Sequence, residues 1–328
     1  MLNKKKILLF VPTFFGYYKE IGKALERQGA DVDFILEDFS ERSTIYRLFW
    51  VKNYKTKIRY TSSYYKRKIA ELDKKYDIIF VIRGEAISEE NMTQLKKRYP
   101  FAKFIMYQWD SIKNNKNCLR IERFFDKIFT FDMEDAQKKG WYYRPLFYVE
   151  ENVSNESEKD IDFSMIGTLY YKRAMLLKKI REYCSKNNFS LFSYMYSPKL
   201  VYLIHKYIMH DSKYKDIPYN DVKFQQMSST DLSAVYDKSA ILVDYTADNQ
   251  TGLTMRTIES IGHHCKLITN NKKIKDCDIY ESGNIYVYDL DCFSVPIEFV
   301  NSRYNELSGE MRKYYSLSGW ITSIFDLT

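Results

Sequence analysis

Short apolar stretches of strand length alternate with amphipathic stretches of helix length along this chain of 328 residues, and the alternation stops once and then restarts. In the first half, strands are predicted over residues 6–12, 32–36, 77–82, 104–108 and 127–131. A helix is expected over 17–28, entered through the loop 13–16 and closed by Gly29 as a left-handed C′ residue. Another is expected over 88–99, with Ser88 as its N-cap and Asn91 at N3. Residues 44–75 read as helical or irregular. Residues 150–160 carry a single apolar side chain, Val153, among acidic and polar ones, and read as a linker. Beyond it come strands at 161–166, 191–195, 222–224, 240–245, 266–269 and 285–288, with helices at 170–184, 198–210 and 229–238. Strands this short and apolar, separated by helices, imply parallel sheets covered on both faces. The chain is long enough for two such domains. The expected fold class is therefore α/β, with two Rossmann-like doubly wound domains facing a cleft.

Composition narrows the function. With 45% hydrophobic and 29% charged residues, the chain has the make-up of a soluble globular protein. No window of about 18 uncharged apolar residues exists, so no spanning helix is expected. The run Ile7 to Val11 is too short for a signal sequence and reads as the first strand. Cys118, Cys184, Cys265, Cys277 and Cys292 are scattered without a Cys-x-x-Cys pair, which points to thiols in a reducing cytosol. His263 and His264 are adjacent, and His205 and His210 lie at i,i+5, so no metal is expected. Charge is uneven. Residues 1–150 hold 30 Lys and Arg against 20 Asp and Glu, while the remainder is slightly acidic. The surplus concentrates in residues 52–75, at Lys52, Lys55, Lys57, Arg59, Lys66, Arg67, Lys68, Lys74 and Lys75, with Tyr54, Tyr60, Tyr64 and Tyr65 between them. Such a patch suits an anionic membrane surface or a nucleic acid backbone, or is simply a solvated helix face. No nucleic-acid-binding motif accompanies it, so no nucleic acid partner is expected.

Residues 252–269 carry the strongest chemical signal. Gly252, Leu253 and Thr254 open a helix bearing Arg256 and Glu259, and a short strand ends at Thr269. A helix N-terminus and a planar guanidinium both suit phosphate oxygens. Glu259 shares the face of Arg256 and can accept hydrogen bonds from ribose hydroxyls. Spacing alone leaves open an amphipathic helix with a surface Arg–Glu pair. A second constellation, Gly167 and Thr168 at a strand end with Lys172 and Arg173 opening the next helix, offers another phosphate loop. Tyr194, Tyr196, Gln226 and Met227 are candidates to flank a nucleobase. In the first half, Gly16, Glu85, Trp109 and Asp110 follow predicted strands, on the side where α/β folds place chemistry. Asp110 is the first candidate for a general base and Glu85 the second, because Trp109 could desolvate Asp110 and offer a sugar a stacking face.

Residues 252–269 resemble the donor-binding motif of nucleotide-sugar glycosyltransferases of the GT-B fold, G-L-x-x-R-x-x-E-x-x-x-x-G-x-x-x-I-T. Gly252, Leu253, Arg256, Glu259, Ile268 and Thr269 match it, His264 stands at the late glycine position, and Thr251 stands where retaining relatives carry a further Glu. The loop 163–173 is similar to the family's F-x-G-(S/T)…(R/K)-R turn. Within that superfamily the chain is most similar to spore-maturation-protein-like transferases of bacterial surface-polysaccharide clusters. The resemblance implies GT-B architecture, with an acceptor domain over 1–149, a linker over 150–158, a donor domain over 159–310, and residues 311–328, helical over 314–325, returning to the first domain. It implies metal-independent transfer of a sugar from a nucleoside-diphosphate donor, with no further cofactor, to a surface glycan or lipid-linked acceptor of capsule, O-antigen or lipopolysaccharide type. Lys172, Arg173 and Arg256 would neutralise the diphosphate and Glu259 would hold the ribose. A cytoplasmic protein, peripheral on the inner face of the plasma membrane, is the expected setting. A non-catalytic nucleotide-sugar-binding scaffold is the alternative, and Thr251 is its main support.

Overall fold

The structure is a computed structural model that describes residues 2–13, 16–37, 54–153, 158–210, 214, 217–247 and 251–326, with residues 54–60 as backbone only. The chain divides into two compact units, Met1–Leu146 with Asn249–Gly252 and Leu317–Thr328, and Phe147–Asp248 with Leu253–Ser316. The division thus falls at Phe147, within the expected acceptor domain, and the chain rejoins the first unit at Leu317.

In the first unit, β1 (Lys6–Val11), β2 (Asp31–Leu36), β3 (Ile78–Ile82), β4 (Lys103–Gln108), β5 (Lys127–Thr130) and β6 (Tyr142–Tyr143) form one parallel sheet in the order β2-β1-β3-β4-β5-β6. Every residue of β3 is buried, as a strand covered on both faces requires. Helices α1 (Tyr17–Arg27), α2 (Tyr54–Ala70), α3 (Glu89–Arg98), α4 (Cys118–Ile121) and α5 (Met133–Lys139) connect the strands. The anticipated caps are present. Ser88 accepts from Asn91 N at 3.1 Å, and Gly29 has φ +90°. Helix α2 spans much of the basic stretch and buries Thr61, Tyr65 and Ile69. The described cations of the stretch lie outside, with Lys66 near Glu90 and Lys68 near Glu71 on the helix, and Lys74 beyond it on Asp33 at 2.8 Å. Lys52 and the side chains of Lys55, Lys57 and Arg59 fall outside the described residues.

The second unit pairs β7 (Ile161–Thr168), β8 (Leu191–Tyr196), β9 (Val222–Lys223), β10 (Ser239–Val243), β11 (Lys266–Thr269) and β12 (Ile285–Val287) in the parallel order β12-β11-β10-β7-β8-β9. This is the doubly wound order of a dinucleotide-binding fold, and it reverses between β7 and β10. Its helices are α6 (Tyr171–Asn187), α7 (Lys199–Leu203), α8 (Ser229–Asp237), α9 (Met255–Gly262), α10 (Ile297–Asn301) and α11 (Gly309–Tyr315). The helix expected over 198–210 is α7 followed by a π-helical turn, Ile204–Ile208. The helix expected over 314–325 is two helices. α11 ends where Ser316 becomes extended at ψ 160° and bridges Tyr148, and α12 (Leu317–Asp326) follows. Trp320 of α12 is fully buried against Phe80 and Tyr107 of the first unit's sheet.

Among the described residues, no helix is long and apolar enough to cross a membrane.

Candidate functional site

Parallel strands all deliver their C-terminal ends to one edge, and a crevice opens where the strand order reverses. In the second unit that point lies between the ends of β7 and β10. Gly167 and Thr168 end β7, and α6 starts three residues later. Tyr170, the N-cap of the 17-residue helix α6, makes no side-chain capping bond. Arg173, in the first turn, folds back over this loop. Its guanidinium donates to Thr168 O at 3.1 Å and Tyr245 O at 3.3 Å and lies 4.8 Å from the Tyr170 ring centre. A Cβ on Gly167 would come within 3.1 Å of Arg173 Nη1, so the glycine admits this packing. Burial, and then the charge of Arg256, make the charged form of Arg173 less favourable than usual. No carboxylate forms an ion pair with Arg173 among the described residues. A covered guanidinium in the first turn of a helix is chemically suited to an anion.

Arg256 behaves differently. Its side chain is 13% exposed, and its polar atoms turn inward, to Asp244 Oδ1 at 3.3 Å, Tyr236 OH at 3.3 Å and Ile166 O. Burial opposes its charge, yet Tyr236, Asp244 and Glu259 hold it more firmly protonated than a free arginine. The N-terminus of α9 is also closed, since the Thr254 side chain accepts from Thr257 N at 3.2 Å. The guanidinium singled out for phosphate contact thus makes three hydrogen bonds within the protein. Glu259 is buried on α9, near enough to act on both Arg256 and Tyr236. Leu253 is buried, while Thr168 and Lys172 are exposed. His264, at the pattern's glycine position, has φ +50°, so the left-handed turn is kept without glycine.

Tyr196 pairs with Thr168 across β7 and β8, which puts it beside the Gly167 loop. Gln226 and Met227 follow β9, farther along the same edge, and Tyr194 OH donates to Gln225 O at 2.8 Å. Gly252 groups instead with the first unit. Its missing side chain makes room for Phe131, whose Cε2 would lie 2.4 Å from an added Cβ, and Thr251 Oγ1 donates to Asp132 Oδ2 at 2.7 Å.

The first unit assembles its own cluster at the ends of β3 and β4. Asp110 and Glu85 are brought together by Arg83, whose Nε lies 2.8 Å from Asp110 Oδ2 and whose Nη2 lies 2.6 Å from Glu85 Oε2. All three side chains are partly exposed. Arg83 adopts a left-handed φ of +73°, and Gln108 and Asn115 both donate to its carbonyl, at 3.0 and 2.6 Å. The backbone is thus held in an uncommon conformation by buried amides. Burial disfavours the charge of Arg83, but Asp110, Glu85 and Glu37 more than restore it. Trp109 packs 5.8 Å from Tyr17, and Gly16 caps α1 at φ +79° with open space around it.

Sequence reasoning missed Arg83, Tyr236 and Asp244. The first sits in an apolar-flanked turn with no motif, and the others matter only once strands from separate parts of the chain are adjacent. Asp-x-Asp triplets stand at 31–33, 160–162, 276–278 and 289–291, and among the described residues no group of three or more His, Cys, Asp or Glu is placed to hold a metal ion.

No protein-family model matches the chain, and no curated protein is similar to it in sequence. Solved structures are similar in fold. Sucrose-phosphate synthase from Thermosynechococcus elongatus has 11% identity over 99% of this chain and 98% of its own, with a TM-score of 0.62. The Anabaena protein HepE in complex with UDP-glucose has 8% identity over 98% of each chain, with a TM-score of 0.58. UDP-GlcNAc 2-epimerase from Neisseria meningitidis, bound to UDP-GlcNAc, has 9% identity over 98% of this chain and 99% of its own, with a TM-score of 0.57. The likeness is one of fold: two Rossmann-like units in series, as in GT-B proteins.

Proposed function

We propose that the protein is a glycosyltransferase that moves a sugar from a nucleoside-diphosphate donor to a bacterial surface glycan or lipid-linked oligosaccharide, in the manner of the spore-maturation-protein-like transferases. The observation that carries this reading is Arg173, a covered guanidinium that pairs with no carboxylate among the described residues, in the first turn of α6, whose N-cap Tyr170 makes no side-chain capping bond, at the reversal point of the second unit's sheet. A diphosphate supplies the charge that this place lacks. In the reading, Arg173 and the first amides of α6 hold the diphosphate, with Lys172 and Thr168 at its rim. Arg256 holds the loop end at Ile166 rather than the ligand, Glu259 receives the ribose, and Tyr196, Gln226 and Met227 border the base. UDP-sugars bound to HepE and to the epimerase agree with such a donor.

Transfer needs a leaving group and a base. As the bond from the sugar's anomeric carbon to the diphosphate oxygen breaks, the departing negative charge is offset by Arg173 and the helix N-terminus, without a metal. The acceptor hydroxyl forms the new bond and gives its proton to a carboxylate, for which Asp110 is the first candidate and Glu85 the second. Gly16 and Trp109 belong to the acceptor side. Arg83 fixes the position of both carboxylates. Residues 52–75 would hold the protein on an anionic inner membrane surface in the cytoplasm.

Thermal-shift and calorimetric titration with UDP, GDP, dTDP and CMP tests the donor site, and saturation at about 100 times Kd should stabilise the protein by roughly 2.7 kcal/mol. No response to any of the four would reject it. Turnover in the presence of an acceptor separates a transferase from a scaffold, and donor epimerisation without an acceptor would favour the epimerase chemistry known on the same fold.

A further inference from the structure

Asp244 follows β10 directly, and its side chain is completely buried. Four side chains donate to its carboxylate. Oδ1 accepts from Thr254 Oγ1 at 3.0 Å and Arg256 Nη1 at 3.3 Å, and Oδ2 accepts from Thr246 Oγ1 at 3.0 Å and Thr269 Oγ1 at 2.9 Å. These donors come from four places: the cap of α9, its first turn, the loop after β10, and the end of β11. The main chain of the same residue is engaged as well. Its N–H donates to Ile268 O at 2.8 Å, and its carbonyl accepts from Tyr288 OH at 2.7 Å. A carboxylate has about four lone-pair sites, and here each oxygen accepts two bonds.

From this hub two paths reach the anion place. Arg256, paired with Asp244, donates onward to Ile166 O, the residue before Gly167. The neighbour of Asp244, Tyr245, offers its carbonyl to Arg173 Nη2 at 3.3 Å. The β7 loop and the guanidinium that faces the anion are therefore both braced from residues 244 and 245. A buried, fully satisfied ionic network of this kind holds one arrangement rigidly, and a partly satisfied one is costly.

We propose that Asp244 is the positioning residue of the donor site: buried away from the ligand, it sets the phosphate-receiving loop by holding Arg256 and the α9 cap in place. The proposal rests on the donor-site reading above. It places the effect on the diphosphate rather than on the nucleoside, because the braced groups are those of the phosphate loop.

The test uses the full chain with Asp244→Asn and Thr269→Val. The first keeps size but removes charge and one acceptor, and the second removes one of the four donors. Affinities for UDP, GDP and dTDP, each against its own nucleoside, are measured by NMR titration, alongside the thermal midpoint of the free protein. In wild type the diphosphate should bind more tightly than the nucleoside. That ratio should fall at least tenfold in Asp244→Asn and two- to fivefold in Thr269→Val. A lower midpoint with an unchanged ratio marks a merely structural residue and overturns the proposal. If Asp244→Asn does not fold, Thr269→Val decides, and an unchanged ratio there overturns it. Wild-type protein that binds no nucleoside diphosphate overturns the donor reading itself, and the proposal with it.

Discussion

Replacing Arg173 by Met separates a ligand-facing cation from a structural one. In the free protein Arg173 makes two hydrogen bonds to carbonyls, at 3.1 and 3.3 Å, and pairs with no carboxylate among the described residues. Bonds of a charged donor contribute about 1.5–3 kcal/mol each, and moving the guanidinium out of water costs several kcal/mol. The two nearly offset each other, and Met keeps much of the volume. The stability of the free protein should therefore change by no more than about 2 kcal/mol in either direction. Binding has no such offset. Losing one charged hydrogen bond to a phosphate should cost about 1.5–3 kcal/mol, roughly 10- to 150-fold in Kd. At a nucleotide concentration that stabilises wild type by about 2.7 kcal/mol, a hundredfold weaker variant would gain only about 0.4 kcal/mol. Calorimetric titration and thermal unfolding with and without nucleotide read both quantities. A variant destabilised by more than about 3 kcal/mol that still binds nucleotide like wild type would show that Arg173 serves the fold, and the anion-site argument would fail.

Arg256→Met should behave in the opposite way. It leaves the Asp244 carboxylate buried without its counter-charge, and should cost about 3–5 kcal/mol of stability in denaturant unfolding before any nucleotide is added. Gly252→Ala should destabilise by about 1–3 kcal/mol, because its Cβ would lie 2.4 Å from Phe131 and 3.0 Å from the Phe131 carbonyl, and a thermal midpoint equal to wild type would contradict this packing. Lys266 is buried and donates to the carbonyls of Phe299, Val300 and Ser302, and burial lowers its pKa from 10.5 to about 8. Between those values the unfolded chain binds more protons than the folded one, so stability should rise with pH from about 8 towards 10.5, by at most about 1.4 kcal/mol per pH unit. Subtracting the profile of Lys266→Met isolates this contribution, and a difference that is flat across the window would refute it. Asp110→Asn should lower turnover by about 10²–10⁴ with donor affinity unchanged, and Glu85→Gln is the comparison that ranks the two carboxylates.

Local patterns in the sequence were enough for the two parallel sheets. Strands such as Ile78–Ile82, apolar at every position, can only be central in a covered sheet, and the Ser88 cap and the Gly29 turn are specified by residues within one helical turn of each other. The loops 163–173 and 252–269 stand out along the sequence for the same reason, as compact runs of glycine, hydroxyl and basic residues. Tertiary structure alone decided which partners those residues take. Arg173 and Arg256 look interchangeable along the chain, yet one pairs with no carboxylate among the described residues and the other is paired with Asp244, twelve residues earlier at the end of β10. Asp110 and Glu85 look like independent carboxylates until Arg83 joins them. The helical pattern breaks at Ser316, where Tyr148, far away in sequence, forms a bridge and donates its N–H to the Tyr315 carbonyl. Propensity and periodicity act over a few residues, so they specify elements. The partner of a buried charge is chosen by which strand ends the sheet order sets side by side, and no local pattern encodes that choice.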